Sequence, residues 1–167
     1  MAELPETIAA CRTLLADLTP LQSDCGRVCG CACCAPVSGE ETGMLLFPGE
    51  EAYYEALPGY TVRPTAMGPM LVCAGRCERS DRPLSCRLFP LLPVLRQTGV
   101  KVAVDARAGV VCPLAAQGRQ AMCSEFTDAV RACGQLLAAD DAQRPFLEQL
   151  TRQQDDLKAL KQAFGGG

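Results

Sequence analysis

Apolar residues recur at helical spacing at both ends of the chain and in short, strand-like runs between them. Leu4, Ile8, Cys11, Leu14, Leu15 and Leu18 follow a three-to-four-residue period, which predicts a helix over residues 4–18. Thr19-Pro20 ends it, because proline disfavours helical backbone in the residue before it. Residues 21–43 hold five Cys and four Gly among polar side chains and read as a loop. Gly43 to Phe47 is a short apolar run, expected as a strand, and Pro48-Gly49 breaks it. Glu50 to Leu57 is expected as a helix whose acidic first turn suits the helix dipole. Beyond the Pro58-Gly59 turn, Tyr60–Arg63 and Met70–Cys73 are expected as short strands, and residues 74–90 as a second loop rich in Cys, Arg and Pro. Leu91–Arg96 and Val100–Asp105, joined by Gln97-Thr98-Gly99, predict a β-hairpin. From residue 119 the pattern turns helical again. Met122, Phe126, Val130, Cys133 and Leu137 form one stripe, and Phe146, Leu147, Leu150, Leu157, Leu160 and Phe164 a second. They predict a helix pair over residues 119–163.

The chain has 167 residues, 49% of them hydrophobic, and a net charge of -3. This is globular composition, not that of a disordered chain. No apolar run approaches the roughly 20 residues of a membrane-spanning helix. A pI near 5.0 argues against nucleic-acid binding through phosphate neutralisation. Glu3 and Glu6 stand where a secretory signal would carry basic residues, so the expected compartment is the cytoplasm. There, clustered cysteines point to a metal or redox site more than to a disulfide framework.

The twelve cysteines fall into groups, and there is no His. The segment DCGRVCGCACC contains Cys25, Cys29, Cys31, Cys33 and Cys34. Cys73 and Cys77 form a CxxxC pair, Cys86 follows in RPLSCRLFP, and Cys112 stands alone before Pro113. Cys11, Cys123 and Cys133 lie on apolar helical stripes and read as small core residues. Thiolates two to four residues apart on Gly-containing loops reach one metal at little closure cost. A sulfur-only donor set selects zinc or iron–sulfur chemistry over calcium or magnesium. The adjacent pair Cys33-Cys34 projects two ways, which suits different metals or different irons of one cluster. Eight loop thiolates would close two four-thiolate sites, so more than one metal atom is expected. Arg76, Arg79, Arg82 and Arg87 surround the second group and either offset the negative charge of such a site or pair with Glu78 and Asp81. Leu84, Leu88 and Phe89 are expected to shield the metal, and a carboxylate ligand from Glu50 or Glu51 is a minor alternative.

On these residues the chain resembles the YkgJ-type CxxCxxCC cysteine-cluster family, whose name rests on inferred chelation of zinc or iron. The resemblance lies in the cluster ending in Cys33-Cys34, in Cys73 and Cys77, and in Arg82-Pro83-Leu84-Ser85-Cys86-Arg87-Leu88-Phe89-Pro90, and spans about residues 24–114. It implies an eight-cysteine ligand set: Cys25, Cys29, Cys33, Cys34, Cys73, Cys77, Cys86 and Cys112. The first cluster is spaced CxxxCxxxCC instead of CxxCxxCC, so Cys29 and Cys31 compete for the second position. Relatives described as iron–sulfur oxidoreductases and a flagellin lysine methylase imply redox or methylase-like alternatives.

The expected fold class is α+β. A compact Cys-rich metal-binding core with a short β-hairpin is flanked by an N-terminal helix (residues 1–20) and a C-terminal helical hairpin (residues 117–167), with the cysteine-cluster domain over residues 21–116. The expected function is multi-thiolate binding of an iron–sulfur cluster or zinc, leaning to iron–sulfur through Cys112-Pro113 and the adjacent pair, with metal ions and an unidentified protein as partners, and neither nucleic acid nor membrane. The alternatives are a structural zinc protein acting as an interaction module and a methylase-like enzyme. No catalytic constellation is recognisable: with no His there is no imidazole base or Cys–His nucleophile, and Tyr53, Tyr54 and Tyr60 are the remaining candidates.

Overall fold

The computed structural model describes residues 2–21, 41–73, 77–110 and 112–165. Cys25, Cys29, Cys31, Cys33, Cys34 and Arg76 therefore lie outside the described residues. Within them the chain is α+β, with five α-helices and two small antiparallel sheets.

Helix α1 (Glu6–Leu14) turns Ile8 and Cys11 inward. It stops short of the expected residue 18 because its last turn tightens: Ala16 N–H bonds Thr13 O and Leu18 N–H bonds Leu15 O. Strand β1 (Gly43–Leu45) leads through Pro48-Gly49 into α2 (Glu50–Glu55). Gly49 has φ 94°, and a Cβ there would lie 2.4 Å from the Pro5 ring, so glycine meets both the backbone and the space requirement. Strands β2 (Val62–Thr65) and β3 (Gly68–Val72) complete a sheet of order β1-β3-β2, with Gly43 opposite Val72 and Val62 opposite Leu71.

The stretch expected as loop over 74–90 is partly helical. A 3₁₀ turn at Arg79–Asp81 precedes α3 (Leu84–Leu88). Pro83 at the N-cap holds φ -66°, and Leu84 and Leu88, one helical turn apart, are both buried. Strands β4 (Leu91–Arg96) and β5 (Gly99–Val104) form the expected hairpin, Leu91 opposite Val104. Helices α4 (Ser124–Ala139) and α5 (Arg144–Phe164) are the expected C-terminal pair. Residues 119–121 form a separate 3₁₀ turn, so α4 starts later than its apolar stripe.

One apolar cluster gathers Ile8 and Cys11 of α1, Leu84 and Leu88 of α3, Leu91, Val94 and Val102 of the hairpin, and Phe126, Val130, Cys133, Leu137, Leu147 and Leu150 of the C-terminal helices. Both α4 and α5 pack on β4, so Leu91, Leu92, Pro93 and Val94 are buried in succession, without the alternation of a half-exposed strand. Two polar side chains of α5 satisfy hairpin backbone: Thr151 Oγ1 accepts Leu95 N–H, while Gln154 accepts Ala106 N–H and donates to Val104 O. A smaller cluster of Leu46, Tyr54 and Leu71 supports the three-stranded sheet. Among the described residues no helix is long and apolar enough to cross a membrane.

Candidate metal centre

Cys73 follows β3, Cys77 lies four residues on, and Cys86 is carried by α3. All three line one cavity of about 370 Å³ together with Met44, Tyr60 and Glu78. Three contacts set this arrangement. Cys73 N–H bonds Thr42 O at 2.8 Å, which extends the β1–β3 ladder by one bond. Ser85 Oγ donates to Leu45 O, tying α3 to β1. Glu50, fully buried at the start of α2, accepts Phe47 N–H and Leu84 N–H, each at 2.9 Å. The Glu50 carboxylate thus caps α3 from outside that helix and fixes the backbone two residues before Cys86.

Burial raises the Glu50 pKa; the two N–H donors and the Arg12 and Arg87 charges pull it back. Both its oxygens are engaged by backbone, and Glu51 accepts Gly49 N–H at 2.8 Å, so the minor reading of these carboxylates as metal ligands is replaced by a structural one.

A second, smaller cavity adjoins the first. Cys86 lines it too, with Leu18, Thr19, Pro20, Arg79, Arg82 and Arg87. The arginines spend hydrogen bonds on carbonyl oxygens. Arg79 donates to Ala16 O and Leu18 O; Arg87 donates to Arg82 O, Arg79 O and Ser80 O. Arg12, nearly buried, donates to Ser80 O at 2.8 Å and reaches Tyr54 Oη at 3.4 Å. Among the described residues, Arg12, Arg79 and Arg87 form no ion pair, so for Arg79 and Arg87 the pairing with Glu78 or Asp81 is not found. Burial, then repulsion from Arg12, lowers the Arg87 pKa, with Arg79 and Arg82 adding to it.

The tyrosines are structural at this site. Tyr54 Oη donates to Asp81 O at 2.6 Å, and Tyr60 Oη donates to Asp81 Oδ2 at 3.0 Å. Burial pushes Tyr54 well above the ordinary phenol range, and burial with the Asp81 carboxylate pushes Tyr60 up to about 12, so neither is poised as a phenolate.

Of the eight expected ligands, Cys25, Cys29, Cys33 and Cys34 lie outside the described residues, as does their competitor Cys31. Cys73, Cys77 and Cys86 share the larger cavity, whereas Cys112, whose N–H bonds Ala108 O, is not part of its lining. Among the described residues no three Cys, Asp or Glu side chains gather closely enough to hold an ion, so these residues do not by themselves form the expected Cys-rich metal-binding core. Leu84 and Leu88 belong to the main apolar cluster, and Phe89 lines the smaller cavity. Arg12 and Glu50 were not singled out for these positions. Arg12 carried a signal, since a charge one turn from Ile8 and next to Cys11 interrupts the inward face of α1.

Compared with known proteins, the chain matches no family model, no curated protein and no solved structure. The cysteine-cluster resemblance rests on its motifs alone.

Proposed function

We propose that this chain binds metal through Cys25, Cys29, Cys33, Cys34, Cys73, Cys77, Cys86 and Cys112, as an iron–sulfur or zinc protein with more than one metal atom. One observation carries the reading. The chain leaves for the first cysteine cluster at Thr19-Pro20, against the cavity that Cys86 lines, and returns at Thr42, whose carbonyl accepts Cys73 N–H. The described residues on either side of the first cluster therefore lie beside the second, and a segment of about twenty residues spanning such ends would bring its sulfurs there at modest entropic cost.

Charge supports an anionic thiolate site of either form. Arg79, Arg82 and Arg87 line the cavity that Cys86 lines, Arg12 adds to the repulsion at Arg87, and a thiolate-bound metal site of net negative charge offsets it. When bound, an iron–sulfur cluster would supply one-electron transfer to a partner protein; zinc would supply rigidity. The residues seen here would hold the loops, keep water from one side of the site and set its electrostatics. The high phenol pKa values of Tyr54 and Tyr60 weigh against the methylase-like alternative, which would lack a base among them.

The test is metal and acid-labile sulfide analysis of anaerobically purified protein, with a visible spectrum. Iron with sulfide and a band that bleaches on reduction is the expected result; zinc without sulfide assigns the structural form. Cys86→Ser should lower metal per chain by half or more, whereas Cys133→Ser should leave it unchanged. Equal loss from both variants, or metal-free wild-type protein, overturns the proposal.

A further inference from the structure

Two thiols remote from the proposed metal ligands meet in the main core. Cys11 of α1 and Cys133 of α4 are 122 residues apart in sequence, and both are 0% exposed. Cys11 Sγ donates to Cys133 O at 3.7 Å, and Cys133 Sγ donates to Cys11 O at 3.6 Å. This reciprocal arrangement lays the two side chains abreast across the α1–α4 interface. Each sulfur lies beside the other residue's backbone and the two thiols are themselves in hydrogen-bond contact, which places them as neighbours that a modest shift can join. The Cys133 thiol is held protonated, first by its hydrogen bond with Cys11 and then by burial.

We infer that Cys11 and Cys133 are a latent disulfide pair, a redox latch that fastens the N-terminal helix to the C-terminal helical hairpin when a peroxide reaches the core. One thiol, losing its proton, attacks a peroxide oxygen; the O–O bond breaks, giving a sulfenic acid and water. The second thiol displaces the sulfenic hydroxyl, forming the S–S bond and a second water. Two thiols are oxidised and one hydrogen peroxide is reduced to two waters. Because both sulfurs are buried and Cys133 resists deprotonation, the reaction is slow beside that of exposed thiols. Once formed, the bond closes a loop spanning most of the chain, the case in which a cross-link constrains the unfolded state most. The latch is independent of the metal proposal, since neither cysteine belongs to that ligand set.

The experiment treats the full-length native protein with hydrogen peroxide, quenches it, alkylates it under denaturing conditions and maps the peptides by mass. The expected product is a Cys11–Cys133 linked peptide, 2 Da lighter than the sum of the two thiol peptides and restored by dithiothreitol. Its appearance should track a rise in Tm on the order of 10 °C, with the rise absent in Cys11→Ala and Cys133→Ala. Recovery of both residues as alkylated thiols after the other cysteines have been oxidised overturns the proposal. So does linkage of either one to a different cysteine in native protein. Because the map is read on the wild-type chain, a variant that fails to fold leaves the outcome intact.

Discussion

A carboxylate with no exposed surface is costly unless each oxygen is used, and Glu50 uses both, on Phe47 N–H and Leu84 N–H. Glutamine in its place has one oxygen and one amide, so one of these buried N–H groups would face another donor. Glu50→Gln should therefore destabilise the protein at pH 7 by about 2 kcal/mol, read as a lowered urea midpoint. The loss should grow on acidification. Burial raises the folded-state pKa of Glu50 above its ordinary 4.5, so the folded chain binds this proton more tightly than the unfolded one. A group shifted that way contributes its stability in full below the unfolded value and loses it as pH rises through the folded value. The gap between wild type and variant should thus widen as pH falls from 7 toward 5. A gap that stays flat over that range would mean Glu50 is held ionised, with its N–H donors and the Arg12 and Arg87 charges outweighing burial.

At the level of elements, Gly134 of α4 separates propensity from packing. Alanine is the better helix former by about 1 kcal/mol. Yet a Cβ at Gly134 would lie 2.6 Å from both Pro93 and Val100 side chains of the β4–β5 hairpin. Pro93 sits in the strand that α4 and α5 enclose, so it has little room to retreat. Gly134→Ala should lower stability by about 2 kcal/mol despite the propensity gain, measured by thermal or urea unfolding, whereas an open site would show an increase. The same packing explains which elements were legible in the sequence. Phe126, Val130, Cys133 and Leu137 recur every three or four residues and are all buried, so α4 announces itself. The β4–β5 hairpin was legible because Gln97-Thr98-Gly99 interrupts two apolar runs. Helix α3 was not: five residues give one Leu84–Leu88 pair, too little periodicity to stand out, and its cap comes from Glu50, 34 residues away in the chain.

For the whole molecule, the two apolar clusters are unequal, and the difference locates where a metal would matter. The main cluster draws on six elements and needs no ligand to explain it. Among the described residues, the three-stranded sheet rests on Leu46, Tyr54 and Leu71 as its buried apolar residues, a core too small to hold a lobe unaided. That lobe also carries Cys73 and, through Ser85 and Glu50, positions Cys86. The proposed donor chemistry rests on the cysteine spacing in the sequence. Its surroundings stayed hidden because Arg12, Glu50, Tyr54 and Asp81 are tied together around Ser80 and Leu84 by contacts 27 to 68 residues apart in the chain. If the proposed metal braces this lobe, removing it should loosen the molecule selectively. Hydrogen exchange after chelation should show lost protection in β1, β3 and α3, while β4, β5, α4 and the first half of α5 keep theirs, since their amides are held by the main cluster and by Thr151 and Gln154. Uniform loss across both sets would mean that the metal supports the whole fold. Unchanged exchange in the sheet would mean that Glu50 and the tyrosine cluster suffice to hold it.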